Sequence, residues 1–329
     1  MNILELGDCI IEGDRRALAR GITLIESSRR DHRDLANSLI QHLQSLGRSA
    51  IRVGLSGTPG VGKSTFIENW GLLLIEQGKR VAVLAIDPSS AVSGGSILGD
   101  KTRMDRLSRS DQAFVRPSPN QTYLGGVGRR TRDAILLCEA AGFDVILTET
   151  VGVGQSEAVV ADLTDIFMLL LNPAGGDELQ GVKRGILELA DIVMVNKADG
   201  ELKAAANRTH ADYASALRLL RKRQQDPSGY PKVMIASAKE KIGLGAVWDA
   251  VESLYAWRQA EGHLDSRRVE QARYWFKQEL QYALLSQLDT VDARDDFERL
   301  SKAVEQGEIS TVVAVDEMLV GLKQRRPSE

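Results

Sequence analysis

The chain has 329 residues, 43% of them hydrophobic and 26% charged, a balance that excludes a disordered or fibrous polymer and suits one large core with helical additions. Its 42 basic and 45 acidic residues leave a net charge of -3, too weak a field to draw nucleic acid or an anionic membrane, so neither is expected as a partner. Two separated cysteines, Cys9 and Cys138, and four scattered histidines, His32, His42, His210 and His263, suggest neither a disulfide framework nor a transition-metal site.

Residues 1–48 read as an N-terminal helical region, with Leu18, Ile22, Ile25, Leu35, Leu39 and Leu43 at helical spacings. The first residues carry no basic segment leading into an apolar core. The longest clear apolar run, residues 166–171, is too short to cross a bilayer, and the expected location is the cytoplasm. Residues 49–261 then alternate apolar strand, loop and helix. Strands are predicted at 52–55, 81–86, 113–116, 145–148, 166–171, 192–195 and 233–236. Several are apolar at nearly every position, as strands covered on both faces must be, so the expected fold is α/β, a mainly parallel sheet between helices. Residues 262–329 change to long charged helices. Their stripe of Val269, Ala272, Phe276, Leu280, Ala283 and Leu284 either packs on the same subunit or forms a dimerisation arm.

Between the first strand and the following helix stands Gly57-Thr58-Pro59-Gly60-Val61-Gly62-Lys63-Ser64-Thr65, which fits the P-loop pattern of a glycine, four residues, then Gly-Lys-Ser/Thr. Glycines let the backbone curl with its N–H groups inward, so that loop and helix N-terminus surround anionic phosphates. Lys63 can then reach the β- and γ-phosphates, and the Ser64 hydroxyl can ligate a magnesium ion bridging them.

After the sixth strand comes Asn196-Lys197-Ala198-Asp199, an Asn-Lys-x-Asp motif. Its aspartate can accept two hydrogen bonds from guanine N1–H and the exocyclic amine, donors that adenine lacks in that arrangement. By itself Asp199 would also serve as a helix cap. Its place at a strand end, followed at the next strand end by Ser237-Ala238-Lys239, whose backbone N–H would meet the guanine carbonyl, favours the base-reading role. Magnesium calls for further oxygen ligands, and Asp87, Asp100 and Glu149 stand at strand ends or in adjoining loops. Gly152 can donate its N–H to the γ-phosphate and so report the nucleotide state. Glu149 replaces the more usual aspartate, and Val153 follows the glycine where a water-orienting glutamine often stands. Gln155 comes later, which predicts slow unassisted hydrolysis.

Taken in order, GTPGVGKST, AIDPSSAVSGGSILGDKTRM, ETVGVGQSE, NPAGGDELQGVKRGILELAD and NKAD resemble the GTPase chaperones of adenosylcobalamin-dependent methylmalonyl-CoA mutase, bacterial relatives of the human methylmalonic aciduria type A protein. The resemblance implies a P-loop NTPase fold of the signal-recognition and metallochaperone branch, and a homodimer held partly by its C-terminal helices. It also implies a role in gating cofactor loading and protecting the mutase. On it, Lys63, Asp100, Glu149 and Gly152 serve catalysis, Ser64, Asp87, Asp100 and Glu149 the magnesium site, and residues 175–184, with Gln180 and Lys183, an additional switch. Two other readings compete. An ATP-dependent kinase or ATPase linked to amino-acid transport conflicts with Asp199. A metallochaperone GTPase calls for paired Cys or His or a His-rich tract, which the sequence does not present.

Overall fold

The structure, a computed structural model, describes residues 2–27, 29–86, 104–116, 124–150, 156–173, 184–219 and 223–324. Seven strands form one sheet in the order β3-β2-β4-β1-β5-β6-β7, and every pairing is parallel. They are β1 (Ile51–Gly57), β2 (Val81–Ile86), β3 (Ala113–Arg116), β4 (Val145–Thr150), β5 (Ile166–Leu171), β6 (Ile192–Val195) and β7 (Lys232–Ile235). β2, β4, β5 and β6 are buried at every position, which explains the unbroken apolar sequence of β2, β5 and β6. β4 runs two residues further than its apolar run predicts, because Glu149 and Thr150 pair with Ala85 and Ile86 of β2 despite their polarity.

The chain forms two compact units, residues 1–271 and 272–329. α1 (Ile3–Ile11), α2 (Arg15–Glu26) and α3 (Arg30–Gln44) belong to the first unit with the sheet. Their apolar stripes supply the reason. Leu18, Ile22 and Leu39 are fully buried, and α2 and α3 both pack on α6 (Leu124–Ala140). Leu35, expected on the same stripe, is exposed instead. The division between the two units falls inside α11 (His263–Leu285), after residue 271.

α4 (Lys63–Glu76) and α10 (Leu244–Ala260) cover one sheet face, where Phe66, Trp70 and Trp248 join the main core. α7 (Ser156–Leu163) packs on β1 and β4. The remaining elements of this unit include α5 (Asp105–Ser108), α8 (Arg184–Leu189) and α9 (Lys203–Arg218).

At the amino edge of the sheet one device is used three times. Asp144, Asp165 and Asp191 each stand one residue before a strand, β4, β5 and β6. Each carboxylate accepts the backbone N–H of a neighbouring-strand residue: Asp144 from Arg80 at 2.7 Å, Asp165 from Arg52 at 3.0 Å, Asp191 from Phe167 at 2.7 Å. Each aspartate's own N–H returns a bond to the carbonyl of that same residue, at 2.8 to 2.9 Å.

Guanidinium groups complete the edge. Arg258, 1% exposed, donates to Asp191 at 2.6 Å and Asp226 at 2.5 Å, and to the Asp165 carbonyl at 2.7 Å. Arg223 bonds the same two carboxylates, and Arg268 of α11 holds Asp165 with two hydrogen bonds. Burial works to raise the Asp191 carboxyl pKa, but Arg258 and then Arg223 outweigh it and hold it below the usual carboxylate range.

The second unit contains α12 (Val291–Glu305) and α13 (Thr311–Gln324), which pack on one another. Ala293, Leu300 and Ala314 are buried, while Val291, Phe297, Val312, Val315 and Leu319 are exposed. Along α11, Val269, Phe276, Leu280 and Leu284 are exposed as well. No helix among the described residues is long and apolar enough to cross a membrane.

Candidate functional site

The carboxyl edge of the sheet gathers the sequence-predicted residues that the structure describes. β1 delivers residues 57–62 to the first turn of α4, whose N-cap is Gly62 with φ of +93° and no side-chain cap. The first-turn N–H groups are thus left without a capping side chain, the arrangement that suits a bound anion. A Cβ at Gly62 would lie 2.8 Å from Asn196 Nδ2, so this glycine serves the contact with the Asn-Lys-x-Asp motif as well as the turn. Gly60 has open space beside it and is required by its φ of +79° alone.

Lys63 folds back over the loop and donates to the carbonyls of Gly57 at 2.5 Å and Thr58 at 3.4 Å. Burial depresses its pKa from the ordinary ammonium value, with Glu149 and Glu157 opposing the shift. Glu149, 2% exposed on β4, pairs in register with Leu55 on one side and Ala85 on the other. This residue therefore stands between the P-loop strand and the strand that leads to Asp87. Pro59, Gly60 and Thr65 are exposed, Ser64 partly so, and the Thr58 hydroxyl is buried without a hydrogen-bond partner among the described residues.

The guanine-type motif is wired directly to this loop. Asn196, 1% exposed at the end of β6, donates from Nδ2 to the Val61 carbonyl at 2.9 Å and accepts the Ala238 N–H on Oδ1 at 3.0 Å. Lys197, held at φ of +57°, donates to the Gly60 carbonyl at 2.5 Å. Ala198 N–H bonds the Ala236 carbonyl at 3.1 Å, and Ser237 Oγ donates to the Asp199 carboxylate. That bond leaves the second Asp199 oxygen for another donor and turns the partly exposed carboxylate into a fixed acceptor. Ser237 and Ala238 are buried, whereas the Lys239 side chain is exposed beside Glu240.

Asp87, Asp100, Gly152, Gln155 and residues 175–183 lie outside the described residues, and nothing of their geometry enters here. Arg184 begins α8, and its side chain is likewise outside. Among the described residues there is no cluster of three or more His, Cys, Asp or Glu side chains that could hold a metal. The donors that are described, the Ser64 hydroxyl and the Glu149 carboxylate, are hard oxygen ligands and fit magnesium rather than a softer ion. Cys138 is buried, and burial drives its thiol pKa far above the ordinary range, whereas Cys9 is only partly buried. Sequence reasoning missed Glu157, which is buried and acts electrostatically on Lys63, and Asn69, a buried amide on α4. Asn69 carries a legible signal, a polar residue on the helix face that buries Phe66, Ile67 and Trp70.

Comparison with known proteins places this geometry. The family model described as methylmalonyl Co-A mutase-associated GTPase MeaB matches residues 18–293. A Mus musculus protein named methylmalonic aciduria type A homolog, mitochondrial, is 47% identical over 327 residues, covering 96% of this chain and 78% of that protein. GTPase ArgK of Escherichia coli is 43% identical over 288 residues, covering 88% and 86%. A solved crystal structure described as LAO/AO transport system kinase superposes with a TM-score of 0.75 at 33% identity, covering 98% of each chain. With a P-loop joined side chain to backbone with an Asn-Lys-x-Asp motif, and with these relatives, the chain belongs to the methylmalonyl Co-A mutase-associated GTPase MeaB family.

Proposed function

We propose that this GTPase binds magnesium-GTP through residues 57–65, 196–199 and 237–239, and uses its hydrolysis to chaperone an adenosylcobalamin-dependent methylmalonyl-CoA mutase, gating cofactor loading and protecting that enzyme. The observation that carries the nucleotide part is the double link of Asn196, to Val61 in the P-loop and to Ala238 in the following strand loop. Phosphate and base contacts are thereby built on one hydrogen-bonded frame. The mutase part rests on the family name and on the relative's name.

In the proposed reaction a water oxygen attacks the γ-phosphorus, the bond from that phosphorus to the β–γ bridging oxygen breaks, and GDP and phosphate leave. Lys63 turns from its loop carbonyls to the phosphate oxygens and stabilises the charge that spreads over them. The first-turn N–H groups of α4 orient the chain of phosphates. Glu149 and Ser64 would hold magnesium with Asp87 and Asp100, and the ion, when bound, supplies charge neutralisation between the β- and γ-phosphates. Gly152 would sense the γ-phosphate. The exposed apolar residues of α11, α12 and α13 support a homodimer joined by residues 262–329. The cytoplasm is the proposed location.

The competing reading is an ATP-dependent kinase or ATPase linked to amino-acid transport; the solved neighbour's description carries the words transport system kinase. Competition binding decides it. GTP should displace a fluorescent guanine nucleotide at least a hundredfold more readily than ATP, and Asp199→Asn should shift preference toward xanthosine triphosphate by a similar factor. A wild-type preference for ATP refutes the guanine assignment. Co-purification with a cobalamin-dependent mutase, in GDP and in a non-hydrolysable GTP analogue, tests the chaperone role separately; no complex in either state removes it.

A further inference from the structure

Asn69 is 6% exposed and sits on the α4 face that buries Phe66, Ile67 and Trp70. An amide in such a place is costly unless it is hydrogen-bonded. Both of its donors and one of its acceptor directions are used. Nδ2 donates to the Ala238 carbonyl at 3.0 Å and the Thr65 carbonyl at 3.1 Å, and Oδ1 accepts from Arg106 Nη2 at 2.5 Å. A guanidinium can only donate and a carbonyl can only accept, so Arg106 and the two carbonyls together fix which end of the amide is oxygen. Arg106 is itself anchored, its backbone N–H donating to Glu68 Oε1 at 2.8 Å.

Thr65 is one helical turn away, but Ala238 lies at the far end of the nucleotide edge, after β7. Two asparagines from two different elements therefore hold this one residue: Asn196 takes its N–H and Asn69 takes its carbonyl. The second grip has a geometric consequence. The Ala238 carbonyl and the Lys239 N–H belong to one planar trans peptide unit and point in opposite directions. By fixing the carbonyl toward α4, Asn69 fixes the Lys239 N–H away from it.

We infer that Asn69 is a positioning residue for purine recognition, aiming the Lys239 backbone N–H at a 6-carbonyl such as that of guanine. Adenine carries a donor at that position and would set N–H against N–H. The inference rests on the guanine reading of Asp199 and extends it to the other side of the base, with Asn69 acting through Ala238 and touching no nucleotide itself.

The test compares purine ligands with and without a 6-oxygen, using the full chain with magnesium. Dissociation constants are measured for GDP, for the diphosphate of 2-aminopurine riboside, which keeps the 2-amino group but lacks the 6-oxygen and with it the N1–H, and for ADP, which lacks the 2-amino group as well. Asn69→Asp keeps the side-chain volume and removes the donors; Asn69→Ala removes the side chain. Both should weaken GDP binding about five- to tenfold, the size of one or two neutral hydrogen bonds, and leave 2-aminopurine diphosphate within about twofold. Unchanged binding of that second ligand also certifies the fold. Equal weakening of both ligands would reduce Asn69 to a packing role and overturn the inference, as would no change in either. Should neither of these variants fold, Asn69→Gln, which keeps the amide but displaces its donors by one methylene, decides by the same loss of GDP affinity with 2-aminopurine diphosphate unchanged, or by its absence. A wild-type protein that binds ADP as tightly as GDP would instead refute the guanine reading underneath.

Discussion

The two edges of this sheet solve opposite problems. At the amino edge the carboxylates of Asp165, Asp191 and Asp226 face guanidinium groups from Arg223, Arg258 and Arg268 and, for the first two, backbone N–H groups as well. Charge there is matched within the fold. At the carboxyl edge the Lys63 ammonium spends its hydrogen bonds on carbonyls of its own loop, the first turn of α4 has no side-chain cap, and the Thr58 hydroxyl is buried without a partner among the described residues. An edge built of matched ions stabilises, whereas an edge whose donors converge on a glycine loop holds binding capacity in reserve.

Breaking the first edge should have the largest effect. Arg258→Ala leaves Asp191 and Asp226 buried beside one guanidinium fewer, and is expected to lower unfolding stability by about 3–5 kcal/mol in denaturant titration. Nucleotide affinity of the folded fraction should be unchanged, because the cluster lies at the other end of the strands. Breaking the second edge reverses the pattern. Lys63→Ala should weaken GTP binding by about a hundredfold, or about 2.7 kcal/mol, in a fluorescent-nucleotide titration, with stability changed by less than about 1 kcal/mol. A variant that lost both properties together would erase the distinction.

A smaller effect sharpens it. The folded Asp191 pKa lies below its unfolded value of about 3.9, so its ionised form contributes stability fully above that pH and loses it as pH falls through the folded value. The wild-type melting temperature should therefore lose this contribution only below about pH 4. In Arg258→Ala, where burial has less to oppose it, the loss should begin at higher pH. Melting curves taken from pH 7 downward compare the two.

Much of this architecture was legible in advance, for reasons visible in particular residues. The unbroken apolar runs at 81–86, 166–171 and 192–195 became strands with those same bounds, because a strand covered on both faces leaves no polar position to interrupt it. β4 was read two residues short, since Glu149 and Thr150 look like loop and their strand pairing is decided by β2. The periodicity of the N-terminal helices announced an apolar stripe but could not name α6 as what covers it. The P-loop and the Asn-Lys-x-Asp motif were legible as chemistry because their glycines, lysine and aspartate have few other uses at those spacings. Their mutual wiring was not. Asn196 to Val61 joins residues 135 positions apart, and Asn69 to Ala238 joins residues 169 apart, distances over which spacing carries no information.

The aspartates that precede β4, β5 and β6 have a consequence for folding fidelity. β5 and β6, apolar at every position, have no inside or outside, so sliding them by two residues against a neighbour would cost little in burial alone. Each aspartate works as a notch. Its carboxylate and amide together engage a single residue across the gap, and a slipped alignment would break both bonds, at Asp165 and Asp191 leaving a buried carboxylate unseated. Three such notches let a sheet with almost no polar lettering of its own close in one alignment, and so bring the loops at its far end to the same place every time.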